Sequence, residues 1–234
     1  MTSFYEANQQ SGIENCAMEK SIIDKSEDSF LFSTLKPCVF IGKNVSSDTF
    51  NWVNKDGVEL TRYSGTGGPV YFNDGNIKCT LVINRKIVNR LKLCKNWIQT
   101  SLSDIGIPTT SNLGSNDISL YAKKICGVST IENDKKTLFF FFFSLDIDFD
   151  VASRVMVLKK HSSDLRDRAA GINQIFEEKI TAEQIKNSLK TRFNEYFNDS
   201  LQDSLIDDDL QKEMSENLEF FQDQDWIKYG RKFA

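Results

Sequence analysis

The segment Arg62-Tyr63-Ser64-Gly65-Thr66-Gly67-Gly68-Pro69-Val70-Tyr71 constrains this chain more than any other. It is entered from Val58-Glu59-Leu60-Thr61-Arg62, which alternates like a strand, and it leaves through a short β-like stretch that closes on Gly75-Asn76. Three glycines within four residues (Gly65, Gly67, Gly68) let backbone N–H groups approach an anion or a flat ligand without Cβ interference. Arg62 brings a permanent, forked cation to the same place. No Gly-Lys-Ser/Thr follows, which excludes a Walker A loop. A strand follows rather than a helix, which excludes a dinucleotide-binding turn. On these residues alone, a tight turn between two strands and a cradle for a phosphate or acyl-adenylate are equally good readings.

Around this turn the hydrophobic pattern predicts an α+β chain with one mixed sheet covered by helices. Helices are predicted over residues 11–26, from Lys86 to Ser103, over Thr181–Phe197 and from Leu205 to Phe221; Thr181-Ala182-Glu183-Gln184 has the form of a capping box. A short helix over Thr49–Asn54, capped by Ser47 or Asp48, is also predicted. Phe30-Leu31-Phe32 and Cys38-Val39-Phe40-Ile41 suggest adjacent strands. Ile77–Ile83, Ile118–Tyr121, Lys124–Val128 and Leu138–Ile147 complete the strand set, with Asn133-Asp134 as a hairpin turn. Asp203–Asp209 reads as a solvated helix start. No linker or repeat divides the chain, so residues 1–234 are expected to form a single catalytic-size domain.

The balance of 40% hydrophobic and 26% charged residues is that of an ordinary globular protein. A net charge of −4 argues against nucleic acid or an anionic membrane as the main partner. Arg62, Lys123 and Lys124 are candidates for a local basic site within this acidic chain. The five cysteines form no CxxC pair and read as reduced, buried thiols; with no secretory signal in view, a cytoplasmic setting is expected.

Several elements together resemble the lipoate-protein ligase family. The glycine turn resembles that family's RRxSGGGxVYHDxGN signature. Gly114-Ser115-Asn116-Asp117 followed by Lys123-Lys124-Ile125-Cys126-Gly127 looks like its GRND-type element and K-[IV]-[SA]-G element, with Cys126 where Ser or Ala is usual. Asn15-Cys16-Ala17-Met18-Glu19, Val39-Phe40-Ile41-Gly42-Lys43-Asn44, Asp164-Leu165-Arg166-Asp167-Arg168 and Trp226-Ile227-Lys228-Tyr229-Gly230 look like further family elements in the same order. The resemblance implies a fold related to biotin ligases and class II aminoacyl-tRNA synthetases, without the separate small C-terminal domain of longer ligases. It implies ATP-dependent activation of lipoate or octanoate, with Mg²⁺, to an acyl-adenylate. The acyl group then passes to a lysine of a lipoyl domain or H protein. On this resemblance Lys124 and Arg62 are the catalytic cations. Ser64, Gly65, Gly67, Gly68, Asn76, Asn116, Asp117 and Cys126 bind substrate or adenylate, and Asp117 is the candidate Mg²⁺ ligand. Val39 and Val70 are candidate walls of an alkyl tunnel.

The chain departs from the family at two histidines. Phe72-Asn73 stands where the motif has His-Asp, and Leu138–Phe143, leucine followed by five phenylalanines, has no His-Gly-Thr counterpart. The phenylalanine run would either widen a hydrophobic pocket or fill the core. The chain's one histidine, His161, reads as a surface-loop residue. Two alternatives therefore stand beside the ligase. One is an octanoyl or lipoyl transferase working through Cys126 or Cys79, and the other is a catalytically silent, partner-binding homologue.

Overall fold

The structure is a computed structural model that describes residues 1–45, 50–52, 57–110, 116–133, 135–158 and 164–230, with the backbone alone at 50–52 and 156–158. The first half of the chain runs β1 (Thr2–Gln10), α1 (Gly12–Asp24), β2 (Ser29–Leu35), β3 (Cys38–Gly42), β4 (Phe50–Trp52), β5 (Glu59–Tyr63), β6 (Val70–Phe72), β7 (Ile77–Ile83) and α2 (Arg90–Asp104). It continues through β8 (Asp117–Leu120), β9 (Lys123–Glu132), β10 (Thr137–Phe143), α3 (Phe149–Val155), β11 (Met156–Leu158), α4 (Leu165–Arg168) and α5 (Ile172–Ile175). The C-terminal elements are α6 (Ala182–Phe197), β12 (Leu201–Asp203), α7 (Asp208–Gln222) and α8 (Gln224–Tyr229).

A seven-stranded mixed sheet in the order β12-β1-β2-β7-β10-β9-β8 organises the molecule. β1 is parallel to β12 and β2, and the remaining neighbours are antiparallel. Alternation along β10 explains how both faces are filled. Phe139, Phe141 and Phe143 enter the core under α2 and α6, with Trp97, Phe193 and Phe197. Leu138, Phe140 and Phe142 turn to the other face, where α1 and α7 pack. On the first face Trp97 meets Phe30, Phe141, Phe193 and Phe197 with ring centroids 5.1–5.7 Å apart, the separation at which aromatic edges and faces attract.

Two smaller sheets, β5-β3-β6 and β11-β4, lie beside the large one. The single mixed sheet expected from sequence is thus the principal layer, accompanied by two others. β3 does not pair with β2. It lies between β5, to which it is parallel, and β6, because Pro37 breaks the ladder after β2 and Pro37 O instead accepts Glu59 N at 3.4 Å. The short helix expected at residues 49–54 is also corrected: Phe50–Trp52 is a strand, held by antiparallel pairing to Met156–Leu158. Its expected caps, Ser47 and Asp48, lie outside the described residues.

Helix ends follow local chemistry. Ser11 and Glu14 form a capping box on α1, and Thr181 and Gln184 form the expected one on α6. α7 starts at Asp208, later than expected, because Asp207 Oδ1 accepts Leu210 N at 2.8 Å, while Leu201–Asp203 pairs with β1 as an edge strand. Asn133 closes the β9–β10 hairpin, its Oδ1 accepting Lys135 N at 2.9 Å and Lys136 N at 2.8 Å; Asp134 lies outside the described residues. All five cysteines are free and buried. No helix among the described residues is long and apolar enough to cross a membrane.

Candidate functional site

A cavity of about 260 Å³ lies between the face of the large sheet and the three-stranded sheet. Its floor is one row of register: Lys78 on β7 faces Phe142 on β10, Phe142 faces Gly127 on β9, and Gly127 faces Asp117 on β8. Three strand spacings make that row roughly 14 Å long. Gly127 keeps it open, since a Cβ there would lie 2.4 Å from Phe142 Cε1 and 3.1 Å from Lys124 Nζ.

Lys124 reaches this row through a β-bulge. Ile118 faces Cys126 and Ser119 faces Lys124, so Ile125 is an extra residue on β9. The bulge breaks the two-residue alternation and turns Lys124 and Cys126 to opposite sides. Lys124 lines the cavity, whereas Cys126 is wholly buried in the core beneath α2. Lys124 Nζ lies 2.7 Å from Asp117 Oδ1 and 5.3 Å from the centre of the Phe142 ring, with both charged side chains about one-third exposed at the mouth.

The roof is aromatic and the rim is backbone. Phe40, Tyr63, Val70 and Phe72 from the small sheet face Phe140 and Phe142 across the cavity. Tyr63 Oη donates to Thr66 O at 2.7 Å, and Thr66 Oγ1 lies 3.1 Å from Ser129 Oγ, which ties the glycine turn to the floor. Gly67 has φ +144° at the rim, a conformation that favours glycine, and a Cβ on Gly42 would strike Gly67 O at 2.6 Å. Burial, reinforced by the nearby Glu19 charge, pushes the Tyr63 hydroxyl up, so it remains a neutral donor.

At the opposite end from Lys124 the cavity meets a second cation. Lys78 is 5% exposed and forms an ion pair with Glu19 of α1, which is 0% exposed. Thr80 Oγ1 donates to the same Glu19 Oε2 at 2.7 Å. Lys78 Nζ lies 5.3 Å from the centre of the Phe40 ring and 5.7 Å from that of Tyr63.

The residues singled out from sequence divide into two sets. Gly67, Gly68, Asn116, Asp117 and Lys124 come together around the cavity. Arg62, Ser64, Gly65, Asn76 and Cys126 do not line it, and neither does Val39, which packs with Ile41 and Val58 on the far face of the small sheet. Arg62 is placed elsewhere for a physical reason. Its guanidinium is buried among backbone carbonyls: Nε donates to Trp226 O at 3.0 Å and Ile227 O at 3.1 Å, Nη1 to Gly42 O at 2.7 Å and Val45 O at 2.9 Å, and Nη2 to Lys228 O at 3.3 Å. Burial lowers its pKa from the usual arginine value. Asn76 is a brace for the chain after β10, its Oδ1 accepting Leu145 N at 2.8 Å and Asp146 N at 3.2 Å. Gly65 is buried beneath the turn with its carbonyl accepting Lys43 N at 2.9 Å, and Ser64 is half-buried beside it. The expected basic cluster is reduced to Lys124, because Lys123 Nζ donates to Arg166 O at 2.7 Å and Asp167 O at 2.9 Å. Gly114, Ser115 and His161 lie outside the described residues.

The described Lipoyl protein ligase A/B catalytic domain matches residues 7–194. The chain belongs to this family. Among curated ligase relatives it is 24% identical over 190 residues to lipoate-protein ligase LplJ of Bacillus subtilis, covering 75% of this chain and 57% of that one. It is 22% identical over 153 residues to lipoate–protein ligase 2 of Staphylococcus aureus, covering 61% and 45%. The chain thus spans about half the length of these two relatives. Its fold is that of solved lipoyl-ligase structures. Lipoate-protein ligase A bound with ATP superposes with a TM-score of 0.83 at 17% identity, over 97% of both chains. The archaeal bipartite lipoate protein ligase of Thermoplasma acidophilum, solved in a study of that ligase and its E2 lipoyl domain, gives 0.81 at 16%, over 95% and 96%. LipL1 of P. falciparum in complex with lipoate gives 0.79 at 18%, over 97% and 74%.

Within this family fold, the phenylalanine run does both things the sequence left open: Phe140 and Phe142 wall the cavity and Phe139 and Phe143 fill the core. Sequence reasoning did not single out Lys78 as a cavity residue. The signal was available, since Lys78 is the one charged residue in Ile77-Lys78-Cys79-Thr80-Leu81-Val82-Ile83, and a charge in a buried central strand requires a partner.

Proposed function

We propose that the chain is the catalytic unit of a lipoate-protein ligase, activating lipoate or a similar medium-chain acid with ATP and passing the acyl group to a lysine of a lipoyl domain or H protein. The observation that carries this reading is the placement of Lys124 and the Gly67–Gly68 rim at the mouth of a cavity roofed by aromatic rings. An acid with its chain inward would present its carboxylate to the Lys124 ammonium. A carboxylate oxygen would attack the α-phosphorus of ATP, forming the acyl-adenylate as pyrophosphate leaves. An acceptor lysine amine would then attack the acyl carbonyl, forming the amide as AMP leaves. Lys124 supports both steps by placing positive charge where phosphoryl and carbonyl oxygens become more negative. The likeness to a ligase bound with ATP, to one in complex with lipoate, and to one studied with its lipoyl domain supports these substrates.

Among the described residues no three His, Cys, Asp or Glu side chains stand together as a metal-holding group. Asp117 alone fits a Mg²⁺ that arrives with the triphosphate, since Mg²⁺ at such sites takes one or two carboxylates plus phosphate oxygens. There the ion would neutralise phosphate charge. The transferase alternative has less support: Cys126 and Cys79 are wholly buried away from the cavity, and burial pushes both thiols far up.

Incubation with lipoate, ATP, Mg²⁺ and an apo lipoyl domain tests the proposal by intact mass. The expected result is an ATP-dependent lipoyl mass shift on the acceptor. Absence of the shift, or a shift from an octanoyl carrier without ATP, would overturn the ligase assignment.

A further inference from the structure

The acyl cavity ends on charge, not on hydrocarbon. Lys78 closes its inner end, paired behind with Glu19, both with almost no exposure and with the Lys78 ammonium beneath the Phe40 and Tyr63 rings. An ammonium has three N–H donors. Among the described residues, Lys78 Nζ donates to Glu19 Oε2. Glu19 Oε2 also accepts Thr80 Oγ1, while Glu19 Oε1 is buried with no hydrogen-bond partner among the described residues. The pair is therefore neutral as a unit but incompletely satisfied, and one of its members lines the cavity. A methyl group brought against it would leave those polar atoms desolvated and unpaired. A neutral oxygen would accept from Lys78 and restore a partner to the ammonium. A second carboxylate would add an uncompensated buried charge.

Resting on the ligase reading of the same cavity, we propose that Lys78, held by Glu19, selects the distal end of the acid: the substrate class is a medium-chain acid carrying a neutral hydrogen-bond acceptor at the end remote from its carboxylate. Lys124 and Lys78 divide the recognition. The first takes the reacting carboxylate at the mouth, and the second takes the far end at the other side of the Lys78–Phe142–Gly127–Asp117 row. Plain alkanoates of the same length are selected against, and the weakly accepting sulfurs of a dithiolane fall between the two.

Titration calorimetry of the whole protein with octanoate, 8-hydroxyoctanoate and lipoate tests this by sign. In a cavity closed by hydrocarbon the terminal hydroxyl weakens binding, because it is buried without a partner. Against Lys78 it strengthens binding, by about tenfold over octanoate for a hydrogen bond to a charged group. The double variant Glu19→Gln/Lys78→Met removes both charges and keeps a partner for Thr80, and there the hydroxyl preference disappears or reverses. Octanoate binding to the wild-type protein as tightly as 8-hydroxyoctanoate, or tighter, would overturn the proposal without touching the ligase reading. Failure of all three acids to bind would overturn the ligase reading, and this proposal with it.

Discussion

Trp226 and Arg62 hold one another from both ends: the indole Nε1 donates to Arg62 O at 3.1 Å, and Trp226 O accepts Arg62 Nε at 3.0 Å. The pair joins α8 to β5, the strand that enters the glycine turn. Arg62 also donates to the Ile227 and Lys228 carbonyls near the end of α8, which lack partners within the helix, so its charge and fork geometry both suit the place. Lysine cannot reproduce that fork. Arg62→Lys is expected to lower stability by about 3 kcal/mol, since several buried carbonyls lose a donor at about 1 kcal/mol or more each. Urea denaturation measures this. Folded Arg62→Lys should still bind lipoate, because the guanidinium does not line the cavity. Unchanged stability with lost binding would return Arg62 to the site.

Gly127 and Gly68 make a matched pair. A Cβ at Gly127 meets the Phe142 ring at 2.4 Å, whereas one at Gly68 meets nothing within 4 Å. Gly127→Ala is expected to cost about 1–3 kcal/mol, the usual range for overpacking, and to lower lipoate affinity by crowding Phe142 and Lys124. Gly68→Ala should change stability by less than about 0.5 kcal/mol. Melting curves and acid titration on both variants check the contrast, and equal effects would contradict the described floor.

The five cysteines are buried, and burial raises the pKa of every one. Thiolate is the reactive form. An aromatic disulfide reagent should therefore release no thiol-dependent colour from the native protein, and five equivalents in denaturant. Rapid native labelling of Cys126 or Cys79 would restore the thioester alternative.

Glu59 gives a pH signature. Burial raises its carboxyl above the usual value, with the Glu14 charge adding to it, while Glu59 Oε1 accepts Ile13 N at 2.7 Å. The folded state thus binds this proton more readily than the unfolded state. Its contribution to stability is greatest at low pH and declines as pH rises from the ordinary glutamate value through the raised folded one. Glu59→Gln keeps an acceptor and removes the titration. The melting temperature of the variant minus that of the wild type should grow as pH rises above the ordinary glutamate value of about 4. A difference that shrinks as pH rises would contradict the burial of Glu59.

The sequence was most legible where one segment determines its own structure. Ile77–Ile83 is a strand with the expected bounds, and the α6 capping box is made by the residues that spell it. The mouth of the site was legible as well, because Gly67, Gly68, Asn116, Asp117 and Lys124 sit in short motifs. What escaped depends on distant partners. Thr2–Gln10 has weak alternation and becomes a strand through its parallel neighbours β2 and β12. Arg62 looks like a site cation until Trp226–Lys228 arrives to cover it. The separation of Lys124 from Cys126 depends on a bulge that no spacing rule reveals.

Lipoate-dependent pyrophosphate release tests the central claim most directly, because it reads acid activation before any acceptor is involved. The wild-type protein with ATP and Mg²⁺ should release pyrophosphate only when lipoate is present. Lys124→Ala should lose about 100-fold or more of that rate, the scale for removing one preorganised electrostatic group. Its melting temperature should barely move, since an ion pair about one-third exposed is worth about 1 kcal/mol at most. Full activity in folded Lys124→Ala would contradict the account.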